Sequence, residues 1–104
     1  MNLDLTDRLI KIKEEGRLFR LGVIGLGKFA TMFLSQAKST PGIEIAAIAD
    51  LDYKKAEASI RVAGFKQDLN TSGYNDAKAS NQIWYTESGL ELAECEQLDL
   101  IIEA

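Results

Sequence analysis

The feature that most constrains the fold of this chain is a spaced glycine pattern, Gly25-x-Gly27-x-x-Ala30. An apolar run rich in strand-forming residues precedes it over residues 18–24, and apolar residues at helical spacing follow it from residue 28 to about residue 39. Gly25 permits a tight turn, Gly27 leaves the backbone accessible because it has no Cβ, and Ala30 permits close packing of helix on strand. The order strand, glycine loop and helix predicts the start of a βαβ unit.

Further along the chain, strand-like and helix-like segments alternate. Alternation of this kind predicts an α/β fold, a Rossmann-type parallel sheet with helices on both faces. We expect an N-terminal helix within residues 1–16, covering 3–15, and a dinucleotide-binding domain over 17–104. The predicted strands after the first are 43–49, 83–86 and 98–103, and the later helices are 53–63 and 89–94. The polar stretch 66–81 is predicted to be a loop, in which periodicity does not resolve a short helix.

The last predicted strand stops at the end of the chain. A parallel strand at the centre of such a sheet needs a following crossover, so the sequence predicts a domain truncated after its fourth strand, with the catalytic domain absent. Because Leu100, Ile101 and Ile102 would normally be covered by later elements, self-association as a homo-oligomer is a further hypothesis.

Composition excludes several classes of function. The chain has 104 residues and a net charge of -4, which disfavours binding to nucleic acid. There is no histidine and only one cysteine, Cys95, so neither a zinc site nor an intrachain disulfide is expected. No apolar run approaches the roughly 18 residues of a membrane span, and no signal peptide precedes the first strand. These features predict a cytoplasmic protein with no membrane partner and no bound metal.

The glycine loop and the end of the second strand together predict a cofactor site. Backbone N–H groups near Lys28 and Phe29, at the start of a helix, are suited to a pyrophosphate. Asp50, 25 positions after Gly25, is placed to accept hydrogen bonds from the adenosine ribose hydroxyls. The alternatives are that the loop is a structural turn and that Asp50 is a helix cap. The predicted cofactor-binding residues are Gly25, Leu26, Gly27, Lys28, Phe29, Ala30, Asp50 and Leu51.

The charge of Asp50 favours NAD over NADP. Two like charges about 4 Å apart repel by roughly 4 kcal/mol at an effective dielectric constant near 20, which disfavours a 2'-phosphate beside the carboxylate. Lys54 and Lys55 follow closely, so NADP stays open as the alternative cofactor.

Other conspicuous residues are expected to be structural. Met32 and Phe33 fit core packing, and Trp84 and Tyr85 fit core and edge positions of the third predicted strand, with a position near the adenine as the lesser alternative for one of them. Cys95 lies between the acidic residues Glu94 and Glu96, so a nucleophilic role is not expected.

Four segments carry a resemblance to one bacterial family: Glu15-Gly16-Arg17, the Gly25 loop, Pro41-Gly42-Ile43-Glu44, and the stretch from Leu98 to Ala104. They resemble homoserine dehydrogenase-like oxidoreductases that carry a C-terminal SAF domain, a group similar to the 1-deoxy-D-xylulose 5-phosphate reductoisomerase-like family. The resemblance implies a pyrophosphate loop at Gly25, Gly27 and Ala30. It also implies that the last strand runs into an Ala-Thr-Gly segment, of which only Ala104 is present here. Asp50 departs from the basic residues of the NADPH-dependent reductoisomerase-like member.

The sequence thus predicts the cofactor-binding part of an oxidoreductase that transfers hydride between a nicotinamide and a small metabolite. The cofactor performs the redox chemistry and the domain binds and orients it. Catalytic residues are unknown from this sequence, the substrate would be bound by the missing domain, and the chain alone is expected to be inactive. The alternatives are a non-catalytic NAD-sensing or regulatory module and a methyltransferase that uses S-adenosylmethionine.

Overall fold

The computed structural model describes residues 5–27 and 30–103. Helices and strands alternate along nearly the whole of this part of the chain. The helices are α1 (Leu5–Glu15), α2 (Ala30–Ser39), α3 (Tyr53–Val62), α4 (Tyr74–Ala79) and α5 (Gly89–Ala93). The strands are β1 (Phe19–Ile24), β2 (Ile43–Ala49), β3 (Leu69–Asn70), β4 (Ile83–Thr86) and β5 (Leu100–Glu103).

The strands form one parallel five-stranded sheet in the order β3-β4-β2-β1-β5. This confirms the predicted α/β fold with a Rossmann-type parallel sheet. The chain leaves β1 on one side to form β2, and returns on the other side as β5. The order of strands therefore reverses at β1, and the crevice between the carboxyl ends of β1 and β5 is the topological switch point of the sheet.

The helices cover both faces of the sheet, as predicted. On one face, Leu34 of α2 and Ile60 of α3 pack with Val23 of β1 in the larger core cluster. On the other face, Ala77 of α4 and Leu92 of α5 pack in a second cluster. Connections that run in opposite directions across a parallel sheet place their helices on opposite faces when each crossover is right-handed, which accounts for the division.

A bulge in β2 sets which of its side chains face each core. Leu21 of β1 pairs with Ile45, but Gly22 pairs with Ala47, so Ala46 is an extra residue in β2. Ile45 and Ile48 consequently both lie in the larger cluster, whereas Ala47 lies in the second.

Close packing on the second face depends on Gly22. A Cβ at this position would lie 2.7 Å from Cδ1 of Leu98 and 2.9 Å from Cδ2 of Leu92. Both contacts are far below van der Waals distance. The missing side chain therefore lets α5 and the segment before β5 approach the centre of the sheet.

The prediction of a loop over residues 66–81 is wrong in part, because this stretch contains β3 and α4. The two-residue strand is too short to leave a periodic pattern. Side-chain hydrogen bonds organise the segment instead: Nδ2 of Asn70 donates to Oδ2 of Asp76 and to Oε1 of Gln82, each at 2.8 Å. Polar residues that suggested a loop are thus the residues that stabilise a strand-to-helix connection.

Met32 of α2 and Leu9 of α1 are apolar residues whose side chains are exposed. Met32, predicted to be in the core, is 57% exposed, because it lies two residues from both Ala30 and Leu34 and so on the opposite side of α2. Leu9 is 50% exposed, since α1 contacts the body of the domain through Arg8 and the buried Ile12, which are four residues apart. The last predicted strand also begins later than expected, with Leu98 and Asp99 before β5.

Asp99 forms the main buried ionic contact of the described residues. Its side chain has no exposed surface and accepts two hydrogen bonds from Arg17, from Nη1 at 2.7 Å and from Nη2 at 2.9 Å. The backbone N–H of Arg20 donates to Oδ2 at 2.7 Å, and Nε of Arg8 lies 3.4 Å from Oδ1. One carboxylate thus joins α1, the start of β1 and the segment before β5.

The surroundings of Asp99 favour its charged form. Burial alone would raise its pKa, but the hydrogen bonds from Arg17 and from the Arg20 backbone, with the positive charges of Arg17 and Arg8, outweigh it and lower the pKa. The same contact raises the pKa of Arg17.

Among helices within residues 5–27 and 30–103, none has the length and apolar character needed to cross a membrane.

Replacing Asp99 by Asn should destabilise the fold by on the order of 3–5 kcal/mol, because it leaves the partly buried guanidinium of Arg17 without its carboxylate. Urea unfolding at neutral pH measures the loss. Since the folded-state pKa of Asp99 is lowered, its contribution is complete above the ordinary pKa of about 3.9 and is lost as the pH falls below it. The difference between the wild type and Asp99→Asn should therefore shrink in acid.

The matched control is Asp68→Asn. Asp68 also pairs with an arginine, Arg61 at 2.8 Å, but 72% of its side chain is exposed, so its removal should cost less than about 1 kcal/mol. Equal losses in the two variants would show that the Asp99 contact has no special role.

Candidate functional site

The glycine loop begins at the carboxyl end of β1, where the chain must turn sharply to enter α2. Gly25 has φ of +78°, a left-handed conformation that favours glycine. Its N–H donates to the carbonyl oxygen of Ala49 at 2.7 Å, which ties the turn to the end of β2. The turn and this hydrogen bond place the loop at the carboxyl ends of β1 and β2.

Within the loop, the residues divide between the core and the surface. Leu26 and Ala30 are buried in the larger core cluster, whereas Gly27 is exposed. Ala30 is 1% exposed, in agreement with the small residue expected where α2 approaches β1. The predicted roles of Lys28 and Phe29 concern positions outside the described residues. Gly27 therefore offers a ligand an open approach to the backbone.

Asp50 lies immediately after β2 and faces the loop. Its Oδ2 accepts a hydrogen bond from the N–H of Leu26 at 2.8 Å, and its Oδ1 accepts one from the N–H of Asp52 at 2.9 Å. An ionised carboxylate has about four acceptor positions, so each oxygen retains capacity for a further donor. The structure brings together the loop and the acidic residue that sequence spacing singled out.

The sequence left open that Asp50 caps a helix, but the residue that caps α3 is Asp52. Asp52 is the N-cap of α3, and its Oδ1 accepts a hydrogen bond from the N–H of Lys55 at 3.1 Å. Because Asp52 satisfies the helix, the carboxylate of Asp50 is left to bridge the loop and the turn.

Tyr85 of β4 forms a hydrogen bond with the backbone of Asp50, a contact that the sequence did not predict. Its hydroxyl donates a short hydrogen bond to the carbonyl oxygen of Asp50, and the Asp50 N–H donates to the carbonyl of Thr86 at 3.1 Å. The ring of Tyr53 meets the ring of Tyr85 edge to face, with centroids 5.1 Å apart. The only signal in the sequence is a tyrosine near the end of the third predicted strand.

Burial raises the pKa of the Tyr85 hydroxyl, and the negative charges of Glu87, Asp50 and Asp52 raise it further. The hydroxyl thus stays protonated as a donor to the Asp50 carbonyl at neutral pH.

The remaining surface of the site is open and mixed in charge. Leu51, predicted to contact the cofactor, is 83% exposed directly beside Asp50. Lys54 and Lys55 are exposed on the first turn of α3. On the other side of β1, Glu103 of β5 pairs with Ile24 and is exposed at the switch point. In the described region, acidic side chains therefore flank the loop, and an anion there would depend on backbone N–H donors.

Possible metal ligands and the cysteine were located relative to the glycine loop within the described residues. No three His, Cys, Asp or Glu side chains among them are grouped so that they could hold a metal ion. Cys95 lies in the turn after α5, where its thiol contacts Oε1 of Gln97 at 3.2 Å. This position is in the connection that leads to the start of β5, away from the glycine loop.

Comparison of the chain with protein-family models gives no match, and comparison with curated proteins gives none either. The site is therefore defined by its geometry within the fold. That geometry combines a glycine turn at the end of β1, a carboxylate at the end of β2 and a hydrogen bond between them, next to the switch point of a parallel sheet. Such an arrangement is suited to a ligand with a phosphate part and a hydroxyl-bearing part.

Replacing Tyr85 by Phe should lower the free energy of unfolding by about 1 kcal/mol, because the Asp50 carbonyl loses a buried donor. Since the folded-state pKa of Tyr85 is raised, the wild-type contribution is present below the ordinary pKa of about 10 and is lost as the pH rises above it. The deficit of Tyr85→Phe should therefore diminish in strong alkali, as measured by urea unfolding across pH.

Tyr53→Phe is the control for this experiment, since the Tyr53 hydroxyl has no hydrogen-bond partner among the described residues while its ring keeps the same aromatic contact. An equal deficit in the control would indicate that loss of a tyrosine hydroxyl in general, and not loss of the hydrogen bond to Asp50, lowers the free energy of unfolding.

Proposed function

We propose that this chain binds a dinucleotide cofactor, with NAD preferred over NADP, at the carboxyl ends of β1 and β2. The observation that carries the proposal is the 2.8 Å hydrogen bond from the Leu26 N–H to the carboxylate of Asp50. It fixes a turn suited to phosphate beside a carboxylate suited to ribose hydroxyls, as one ligand spanning both positions requires.

The geometry of the loop fits a pyrophosphate. The positive φ of Gly25 starts the turn, and the exposed Gly27 has no Cβ to prevent contact between phosphate oxygens and the backbone. The N-terminus of the ten-residue α2 adds the positive end of a helix dipole. In this proposal, Leu51 offers an exposed apolar surface beside the adenosine.

Asp50 supports the preference for NAD. Ribose hydroxyls are donors that its two oxygens still have room to accept, whereas a 2'-phosphate would bring negative charge against a carboxylate already fixed by two N–H groups. Lys54 and Lys55 supply the nearest described positive charge on α3, and they are the residues through which NADP would be tolerated.

The bound nicotinamide cofactor would exchange hydride with a small metabolite. We infer from this that the protein is an oxidoreductase, of which these residues bind and orient the cofactor. The resemblance to homoserine dehydrogenase-like oxidoreductases supports this inference, with the substrate bound elsewhere in the protein. A non-catalytic NAD sensor is the alternative, and it shares the same binding site.

Calorimetric titration with NAD, NADP and S-adenosylmethionine tests the proposal directly. We expect NAD to bind most tightly. Binding of S-adenosylmethionine alone, or of no dinucleotide at all, would contradict it. Adding a candidate metabolite and following reduction of NAD then separates an oxidoreductase from a sensor.

Replacing Asp50 by Asn should shift the ratio of NAD to NADP affinity toward NADP by about tenfold. This shift corresponds to about 1.4 kcal/mol, a fraction of the roughly 4 kcal/mol repulsion expected between close like charges. The two affinities are measured by the same titration. Asp68→Asn, which removes an acidic charge far from the loop, should leave the ratio unchanged, and a shift in both variants would point to net charge as the cause.

Replacing Gly27 by Val should weaken NAD binding by at least about tenfold, because a branched side chain would cover the backbone that the pyrophosphate must approach. Gly27 is exposed, so far-UV circular dichroism should show a native fold. Ser72→Val places the same side chain at an exposed turn before α4 and should bind NAD normally. Unchanged affinity in Gly27→Val would show that the loop is only structural.

A further inference from the structure

A cavity lies at the opposite end of the sheet from the glycine loop. Its volume is about 230 Å³, and it is bordered by α1, the start of β1 and the segment before β5. Four basic side chains line it, out of the 12 Lys and Arg of a chain whose net charge is -4. These side chains are Arg8, Lys11, Arg17 and Arg20. Positive charge is thus concentrated at one place on an acidic protein.

Arg20 and Lys11 are the basic residues of this cavity with the fewest partners among the described residues. The side chain of Arg20 is 15% exposed, and its closest carboxylate contact is the 3.7 Å separation between Nε and Oε1 of Glu44. Nε is buried without a hydrogen-bond partner, and neither terminal nitrogen has a partner among the described residues. A largely buried guanidinium normally has its donors satisfied, so this one calls for an acceptor from outside the protein.

Arg8 and Lys11 add further free donors on the α1 side. Nη2 of Arg8 donates to the carbonyls of Leu98 at 2.9 Å and Glu96 at 3.2 Å, which fixes the guanidinium while Nη1 keeps no partner in the described part of the chain. Among residues 5–27 and 30–103, the ammonium of Lys11 has one distant carboxylate contact, 4.0 Å from Oε1 of Glu15. The cavity therefore presents cationic donors from three residues.

The acidic groups nearby are largely engaged. Asp99 bonds Arg17 and the Arg20 backbone, and Glu15 accepts from Nε of Arg17 at 2.7 Å. Four of the five N–H donors of Arg17 are therefore used, by Glu15, Asp99 and the carbonyl oxygen of Leu18. Glu96 lines the same cavity and is exposed, so it reduces the positive potential there.

We propose that this cavity is a binding site for a small oxyanion, a phosphoryl or carboxylate group held by Arg20 and Arg8 with Lys11 at the rim. Guanidinium groups bind both kinds of oxyanion through paired, charge-assisted hydrogen bonds. The site is separate from the proposed cofactor site. Arg20 precedes Gly25 by five residues of an extended strand, which places the two about 16 Å apart. Its ligand therefore acts as an effector or stabiliser, whether or not the chain binds NAD.

The test is calorimetric titration of the chain with inorganic phosphate and, in a separate arm, with malonate, each at matched ionic strength in chloride. We expect at least one of them to bind at millimolar concentration, and Arg20→Gln to weaken that binding by about tenfold. Binding of phosphate alone identifies a phosphoryl site, and binding of malonate identifies a carboxylate site. Failure of both to bind would overturn the proposal.

Three variants distinguish binding in this cavity from binding elsewhere on the chain. Lys66→Gln removes an exposed positive charge outside the cavity and should leave the affinity unchanged. Glu96→Gln should strengthen binding by about twofold, because it removes a negative charge at the cavity. Gly27→Val should retain phosphate binding. If Gly27→Val abolishes it while Arg20→Gln does not, phosphate binds at the glycine loop, and the oxyanion site proposed here is excluded while the proposed function stands.

Discussion

The buried carboxylate of Asp99 is the contact on which the assembly of this domain depends most. The N-terminal helix, the first residues of β1 and the approach to β5 are distant in sequence, and each donates to or faces this one side chain. Charge and hydrogen bonding together offset the cost of removing the carboxylate from water. Because β5 must align with β1 to form the switch point, a contact that fixes the start of both strands also fixes the crevice at their other ends.

The site at the carboxyl ends of the strands follows from that alignment. Parallel strands have their carboxyl ends on the same side of the sheet, so the residues that follow β1 and β2 lie close together there. The bond between Leu26 and Asp50 then couples the two connections, and Tyr85 on β4 holds the Asp50 backbone from the adjacent strand. Three neighbouring strands thus position one carboxylate.

Much of this arrangement could be predicted from the sequence. The βαβ order, β2 and β4 to the residue, and the meeting of Gly25 with Asp50 all follow from local patterns and spacing. The strand β3 could not, because two residues carry no period, and neither could the support from Tyr85, because a hydroxyl bond across strands depends on register. Met32 shows a further limit, since an apolar residue two positions away from the buried residues of a helix faces solvent.

The bulge at Ala46 also determines how β2 would respond to deletion of a residue. In a regular strand of the same sequence, residues an even number of positions apart would lie on the same face, so Glu44 would share the face of Ile48. Deleting Ala46 would restore regular alternation and would leave Ile45 and Ile48 facing the larger cluster and Ala47 facing the second. The bulge thus adds one residue to β2 without changing the face on which its core residues lie, so a strand one residue shorter could contribute to the same two clusters.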